Sequence, residues 1–188
     1  MLTRPFGPTG VPVSVIGQGT WHMGEDRRLK KDEIAALRLG IELGLSHIDT
    51  AEMYADGQAE EIVAEAVAGQ RDRVFIATKV LPSNASYKGT LDACERSLKR
   101  LRTDHVDLYL LHWWSGQHPI EDTMRALVAL CASGKTPRQV ALNFLTHRPA
   151  LFAIPKATRP EHVRENAGAL DFTLTPEDLS AIDAEHRR

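Results

Sequence analysis

The sequence predicts an α/β fold, a parallel sheet built from βα units but short of the strands that would close a barrel. Three observations carry this reading. Short β-branched or aromatic runs alternate with amphipathic helical patterns, which is the signature of βα units. The runs beginning near Val13, His47, Val74 and Val106 recur at about 30-residue intervals, close to one βα unit each. The next run, near Phe152, follows only after about 46 residues. Inside that gap two helical patterns, Ile120 to Ser133 and Pro137 to His147, meet across Gly134-Lys135-Thr136 with no strand between them. A closed (β/α)8 barrel takes about 250 residues. Five strands in 188 residues do not close one.

Each element has its own local justification. Leu91, Cys94, Leu98 and Leu101 recur at helical spacing and share one face, which should pack on the sheet. Gly44, Gly69 and Gly134 each follow an apolar periodic segment, where a left-handed residue ends a helix. Thr136-Pro137-Arg138-Gln139 and Thr158-Arg159-Pro160-Glu161 read as capping boxes, and Thr175-Pro176 places a cap before a proline at the first helical position. The joint at Gly134-Lys135-Thr136 has two readings: an ordinary helical hairpin, or the scar of a lost internal block.

Composition narrows the function classes. With 43% apolar and 26% charged residues the chain falls in the range of one globular domain with a real core. A formal net charge of -2 and no long basic run argue against nucleic acid and anionic membrane as partners. Met1 to Gly7 lacks an apolar targeting core, and no apolar stretch reaches the roughly 20 residues a membrane span needs, so a cytoplasmic location is expected. Cys94 and Cys131 sit at apolar helical positions and read as small core hydrophobes, leaving no disulfide and no metal site.

In a parallel sheet with helical returns, function gathers at the carboxyl ends of the strands. Four runs here end on polar or aromatic side chains. Val13-Ser14-Val15-Ile16 leads into Gly17-Gln18-Gly19-Thr20-Trp21, His47-Ile48 into Asp49 with Tyr54 five residues on, Val74 to Thr78 into Lys79, and Val106 to Leu111 into His112. Singly, each has a structural explanation: Asp49 as a helix cap, Lys79 as an ion-pair partner, His112 as a core imidazole, Tyr54 as a loop aromatic. Titratable groups converging at one end of neighbouring strands mark a site, because stability does not require them there.

Gly44-Leu45-Ser46-His47-Ile48-Asp49-Thr50-Ala51-Glu52-Met53-Tyr54 resembles the aldo-keto reductase motif that contains that family's aspartate and tyrosine. The resemblance continues through Lys79, through Asp107-Leu108-Tyr109-Leu110-Leu111-His112-Trp113, and into Ile154-Pro155-Lys156-Ala157 with Glu165-Asn166 beyond. It is similar in particular to bacterial reductases of methylglyoxal and diketogulonate. The resemblance implies an incomplete (β/α)8 TIM-type barrel, with strands 1–4 and 8 present and 5–7 absent. It further implies a single domain over 1–188, with 1–135 the first half of the barrel and 136–188 the last helix, last strand and C-terminal helices.

It also implies NADPH-dependent reduction of small aldehydes and ketones, 2-oxoaldehydes such as methylglyoxal among them. Tyr54 would give the carbonyl oxygen its proton. A phenol is a poor acid unassisted, with a reference pKa of about 10, so the ammonium of Lys79, held by Asp49, would help by stabilising the phenolate. His112 would orient or polarise the carbonyl, and Trp21, Trp113 and Trp114 would wall the substrate pocket. The cofactor would touch Gly19, Thr20, Trp21, Asp49, Lys156, Ala157, Thr158, His162, Glu165 and Asn166, with Lys156 at the 2′-phosphate.

Two departures stand out. His162 takes a position where the family often has an arginine on that phosphate, with Arg159 and Arg164 as possible substitutes. The Ser-Asn pair that holds the nicotinamide carboxamide, and the aromatic beneath the nicotinamide ring, have no counterpart, and Asn143-Phe144 has a helical setting. The alternative function is therefore a catalytically silent remnant or binding module that keeps the four residues by descent. An opened barrel also exposes strand edges, so self-association is expected.

Overall fold

The structure is a computed structural model that describes residues 1–134, 154 and 156–168. The chain opens with a hairpin in which β1 (Thr3–Pro5) pairs antiparallel with β2 (Pro12–Ser14), Arg4 opposite Val13. This corrects the expectation that the run from Val13 is the first strand of the parallel sheet. That strand is β3 (Gln18–Gly19), followed by β4 (His47–Asp49), β5 (Phe75–Val80) and β6 (Leu108–Leu111) in the order β3-β4-β5-β6. The reason lies in tertiary packing. Val13 and Phe6 rest on Phe75, Ala77 and Leu108, so the hairpin covers the inner face of the sheet. A short extended run suits either pairing, and only the face it covers decides.

Among the described residues five α-helices follow in chain order: α1 (Lys30–Glu42), α2 (Gln58–Val67), α3 (Tyr87–Leu101), α4 (Ile120–Ala132) and α5 (Pro160–Gly168). Side chains alternate across β5. Phe75 and Ala77 join the hairpin side, while Ile76 and Val80 enter the larger core with Leu37 and Ile41 of α1, Ile62 and Val63 of α2, Cys94 and Leu98 of α3, and Leu127 and Leu130 of α4. Each such aliphatic side chain contributes about 1.5–3 kcal/mol by leaving water, which makes the helix-side layer the main source of stability. The face predicted for α3 is the buried one, with Cys94, Leu98 and Leu101 inside, and Ser86 caps that helix by accepting from Gly89 N at 3.1 Å. The predicted helix-ending glycines are left-handed, with φ of 88°, 77° and 76° at Gly44, Gly69 and Gly134.

A fifth position in the sheet is marked by Lys156, which bridges Gly19 in parallel sense, while Gly19 pairs on its other side with Asp49. The approach is close: a Cβ at position 19 would stand 2.9 Å from the Ile154 carbonyl oxygen, so only glycine fits. The backbone at Lys156 thus lies beside the first strand of the sheet, where barrel topology requires the closing strand. Among the described residues nothing pairs with the outer edge of β6, and the architecture is an incomplete (β/α)8 barrel. The strand expected from Phe152, the helix expected over Pro137 to His147 and the caps at Thr136 and Thr175 lie outside the described residues, apart from Ile154 and Lys156. Among the described residues no helix is long and apolar enough to cross a membrane.

Candidate active site

Strand alternation aims three functional side chains the same way. In β4, Ile48 packs into the helix-side core and Asp49, next along, turns inward; in β5, Thr78 and Val80 face the helices and Lys79 does not. Leu111 of β6 likewise leans on the helix-side core, which leaves His112 on the inner side. Asp49 pairs with Ala77, and Lys79 with Leu110, so each functional residue lies one pleat further along its strand than the last.

Lys79 is the centre of the group. Its Nζ donates to Asp49 Oδ1 at 2.6 Å, to the Thr50 carbonyl at 2.8 Å and to the Tyr54 hydroxyl at 3.4 Å. All three ammonium protons are thereby directed, and the Lys79 and Asp49 side chains are only 13% and 18% exposed. A phenolate formed at Tyr54 would meet a fixed positive charge in a poorly solvated setting. On the other side of Tyr54 the His112 ring stands 5.6 Å away at 74°. Burial, and then the Lys79 charge, push the His112 imidazole below its ordinary pKa, against a smaller pull from Asp49 and Glu52. It is therefore neutral at pH 7 and has one N–H to offer a carbonyl oxygen. Its Nδ1 is buried with no hydrogen-bond partner among the described residues.

The segment that delivers Tyr54 is held unusually firmly. Thr50 N donates to Ala77 O at 2.9 Å and Glu52 N to Lys79 O at 3.3 Å, which carries the β4–β5 ladder past the end of β4. Tyr54 then begins a tight turn in which Ala55, Asp56 and Gly57 are all left-handed, at φ of 48°, 52° and 88°. The two non-glycine residues cost about 1–2 kcal/mol each. Position 57 favours glycine by its left-handed φ, and a Cβ there would also crowd Arg100 Cδ at 2.5 Å, on a side chain tied to Glu60. The Glu52 carboxylate, 7% exposed, anchors the near side of the turn. Its Oε1 accepts from Leu81 N at 2.7 Å and Asn84 Nδ2 at 3.0 Å, and Oε2 lies 3.5 Å from Arg96. Hydrogen bonds to a charged group contribute about 1.5–3 kcal/mol each, enough to offset the strain.

On the outer face of the same strand, Thr78 Oγ1 donates to Glu60 Oε1 at 2.7 Å and Arg100 Nε to Glu60 Oε2 at 2.6 Å. This second ion pair belongs to the helix layer.

The other residues expected at the site divide into groups. Trp21 stacks over Tyr54 at 6.5 Å and on His22 at 4.8 Å, and Trp113 meets His112 edge-on at 5.0 Å. These two indoles flank the group and are 62% and 46% exposed. Trp114 is 65% exposed and turns to the His118 carbonyl instead, so it does not join them. Thr20 is fully buried, and its hydroxyl is already spent on the Asp49 carbonyl at 3.0 Å.

Gly19 stands between Asp49 and Lys156. Two inter-strand spacings therefore separate the backbone of Asp49 from that of Lys156, roughly 10 Å. Lys156 and His162 are exposed, Thr158 is half-buried, and Glu165 lies on α5. Ala157 and Asn166 line a shallow recess with Gly17, Gln18, Leu45 and Val163, where α5 packs on the sheet. Nearby, burial raises the pKa of Glu33 against the opposing effects of a Gly24 N–H and the Lys156 charge. Among the described residues no cluster of His, Cys, Asp and Glu could hold a metal ion.

Sequence reasoning missed Glu52 and Asn84. The available signal was weak: an acidic residue between Asp49 and Tyr54, with its partners about 30 residues away.

Comparison with known proteins follows the same residues. The family model described as Aldo/keto reductase family matches in two pieces, residues 15–137 and 133–186. The pieces meet where the two expected helices abut, as in a chain lacking an internal block. Over 128 residues the chain is 56% identical to methylglyoxal reductase YeaE of Escherichia coli (strain K12), covering 68% of this chain and 45% of that protein. It is 37% identical to a glyoxal reductase of Bacillus subtilis (strain 168) over 112 residues, 60% of this chain and 40% of that one. Among solved structures, an aldo/keto reductase from Klebsiella pneumoniae in complex with NADP and acetate superimposes with a TM-score of 0.84 at 32% identity, covering 93% of this chain and 92% of that one. The chain spans about half the length of the curated relatives it matches.

Proposed function

The chain belongs to the aldo/keto reductase family, and from that premise we propose that it reduces small aldehydes and ketones, 2-oxoaldehydes such as methylglyoxal among them, with NADPH as reductant and Tyr54 as general acid. The observation that carries this reading is the reach of Lys79 from Asp49 Oδ1 at 2.6 Å to the Tyr54 hydroxyl at 3.4 Å, with a neutral His112 on the far side of the phenol. A reductase for methylglyoxal and one for glyoxal among the relatives support the substrate class.

The chain's residues divide the work as follows. The carbonyl oxygen sits between the Tyr54 hydroxyl and a His112 N–H, and Trp21 and Trp113 keep water from its apolar side. As negative charge grows on that oxygen, the Tyr54 proton passes to it, and Lys79 stabilises the phenolate left behind. Asp49 holds Lys79 in place and preserves its charge. When bound, NADPH supplies the hydride at C4.

The residues present fit the phosphate end of that cofactor. Lys156 is an exposed cation beside Gly19, and the first turn of α5 offers N–H groups that have no partner within the helix. Thr158 and His162 are within the same segment, Trp21 stands beside Gly19 and Thr20, and Ala157, Glu165 and Asn166 complete the contacts we assign to NADPH. The test is NADPH oxidation with methylglyoxal. Tyr54→Phe should lower the rate by at least ~10²-fold with an unchanged circular dichroism spectrum; equal rates would reject the assignment.

A second reading, a silent remnant or binding module, is favoured by the two-piece family match over about half a relative's length. Titrating NADPH and following its fluorescence separates the two. Micromolar binding supports the reductase, and no binding up to millimolar supports the remnant. Pairing between copies along the outer edge of β6 is the self-association we expect of either.

A further inference from the structure

The Asp49–Tyr54 segment is tied to the end of β5 by two independent clasps. One is the Lys79 ammonium, which reaches back to Asp49, Thr50 and Tyr54. The other runs the opposite way, from Glu52 on the segment to Leu81 N and Asn84 Nδ2 beyond the strand, with Arg96 of α3 behind it. Glu52 is also the last residue whose backbone continues the ladder to β5. After it, only the Tyr54 N to Ala51 O turn bond at 3.1 Å precedes three successive left-handed residues. Such a turn keeps its shape only when both ends are fixed. The α2 side is fixed where the turn runs into α2, Gln58 N donating to the Ala55 and Tyr54 carbonyls, and the near side by the Glu52 carboxylate.

We propose that Glu52 is a positioning residue, whose carboxylate locks the Tyr54 turn onto the end of β5 and so keeps the Tyr54 hydroxyl on Lys79. Its acceptor geometry matters here, because one oxygen serves a backbone N–H and a side-chain amide at once. Glutamine keeps that oxygen and alanine removes it. The consequence for turnover rests on the reductase reading above; the consequence for the placement of Tyr54 does not.

The chain has three tyrosines, Tyr54, Tyr87 and Tyr109, so ring-labelled tyrosine yields three NMR signals, and Tyr54→Phe assigns the one of interest. Tyr109 lies within the field of the Glu52 charge and is no control; the methyl signals of Leu37, fully buried on α1, report whether the fold is intact. In Glu52→Ala the Tyr54 signal is expected to move toward that of free tyrosine while Leu37 stays. In Glu52→Gln both are expected to stay. With NADPH and methylglyoxal, Glu52→Ala should lose roughly 10- to 100-fold in kcat with KM within about 2-fold, and Glu52→Gln should recover most of it. A Tyr54 signal unmoved in Glu52→Ala would overturn the proposal, as would a Gln variant no better than the Ala variant. Should Leu37 also move in Glu52→Ala, Asn84→Ala decides: it removes one donor to the same oxygen, and a smaller shift of Tyr54 in the same direction supports the role, whereas no shift rejects it. A parent chain without turnover defeats the reductase reading and leaves the NMR arm to judge Glu52.

Discussion

Thr78 and Lys79 are neighbours in β5, and each serves a short ion pair on opposite sides of the sheet. Behind the strand, Glu60 is fully buried, held by Arg100 at 2.6 Å and by the Thr78 hydroxyl at 2.7 Å. In front, Asp49 holds Lys79 at the same 2.6 Å, but the cation also reaches a phenol flanked by exposed indoles. The ingredients are nearly the same. The outer pair closes on itself, its remaining contacts being the Thr78 hydroxyl on the strand and Ser97 within the helix layer. The inner pair leaves its charge directed at a group that can release a proton. A carboxylate and a cation at hydrogen-bond distance are therefore not evidence of a site; what the cation touches next is.

Three measurements bear on that contrast, and the largest effect belongs to the outer pair. Removing one partner of a buried ion pair typically costs about 3–5 kcal/mol, so Glu60→Ala should lower the urea midpoint by that equivalent. If it instead abolished NADPH oxidation in a fully folded protein, the division between the faces would fail. Lys79→Met should do the reverse, cutting carbonyl reduction by about 10²–10³-fold while the loss of its charged hydrogen bonds costs about 1.5–3 kcal/mol in stability.

The smallest effect is a titration. Because burial and Lys79 depress the His112 pKa, its NMR midpoint should lie below the ordinary histidine value of about 6.5 and move back up in Lys79→Met. The sign for stability follows: a folded-state pKa below the unfolded value means the unfolded chain binds the proton more readily. The contribution is then fully present above about pH 6.5 and is lost as pH falls through the folded midpoint. A midpoint at or above 6.5 would place His112 outside the field of Lys79.

Much of this was legible in the chain. The alternation of strand and helix patterns located β4, β5 and β6 within a residue or two, and the residue following each apolar run turned out to be the inward one. Asp49, Lys79 and His112 could be read that way because a strand's period of two and its carboxyl end are local properties. The hairpin of β1 and β2 was not legible, since Thr3–Pro5 carries no apolar alternation and its pairing is set by Phe6 and Val13 settling on Phe75 and its neighbours. Nor was Trp114 turning away to His118 while Trp113 stays with His112, a choice made by the loop's path.

By itself, then, the sequence determined the succession of β4, β5 and β6 with their helices, the shortage of strands and the candidate residues that gather at the strand ends. All of these follow from periodicity and from motifs a few residues long. Only the tertiary structure decided which acid meets which cation. Asp49 and Glu60 both lie within reach of β5, and the difference between a poised site and a closed structural bond is whether a side chain leaves the strand on its inner or its outer face, and what distant segment waits there.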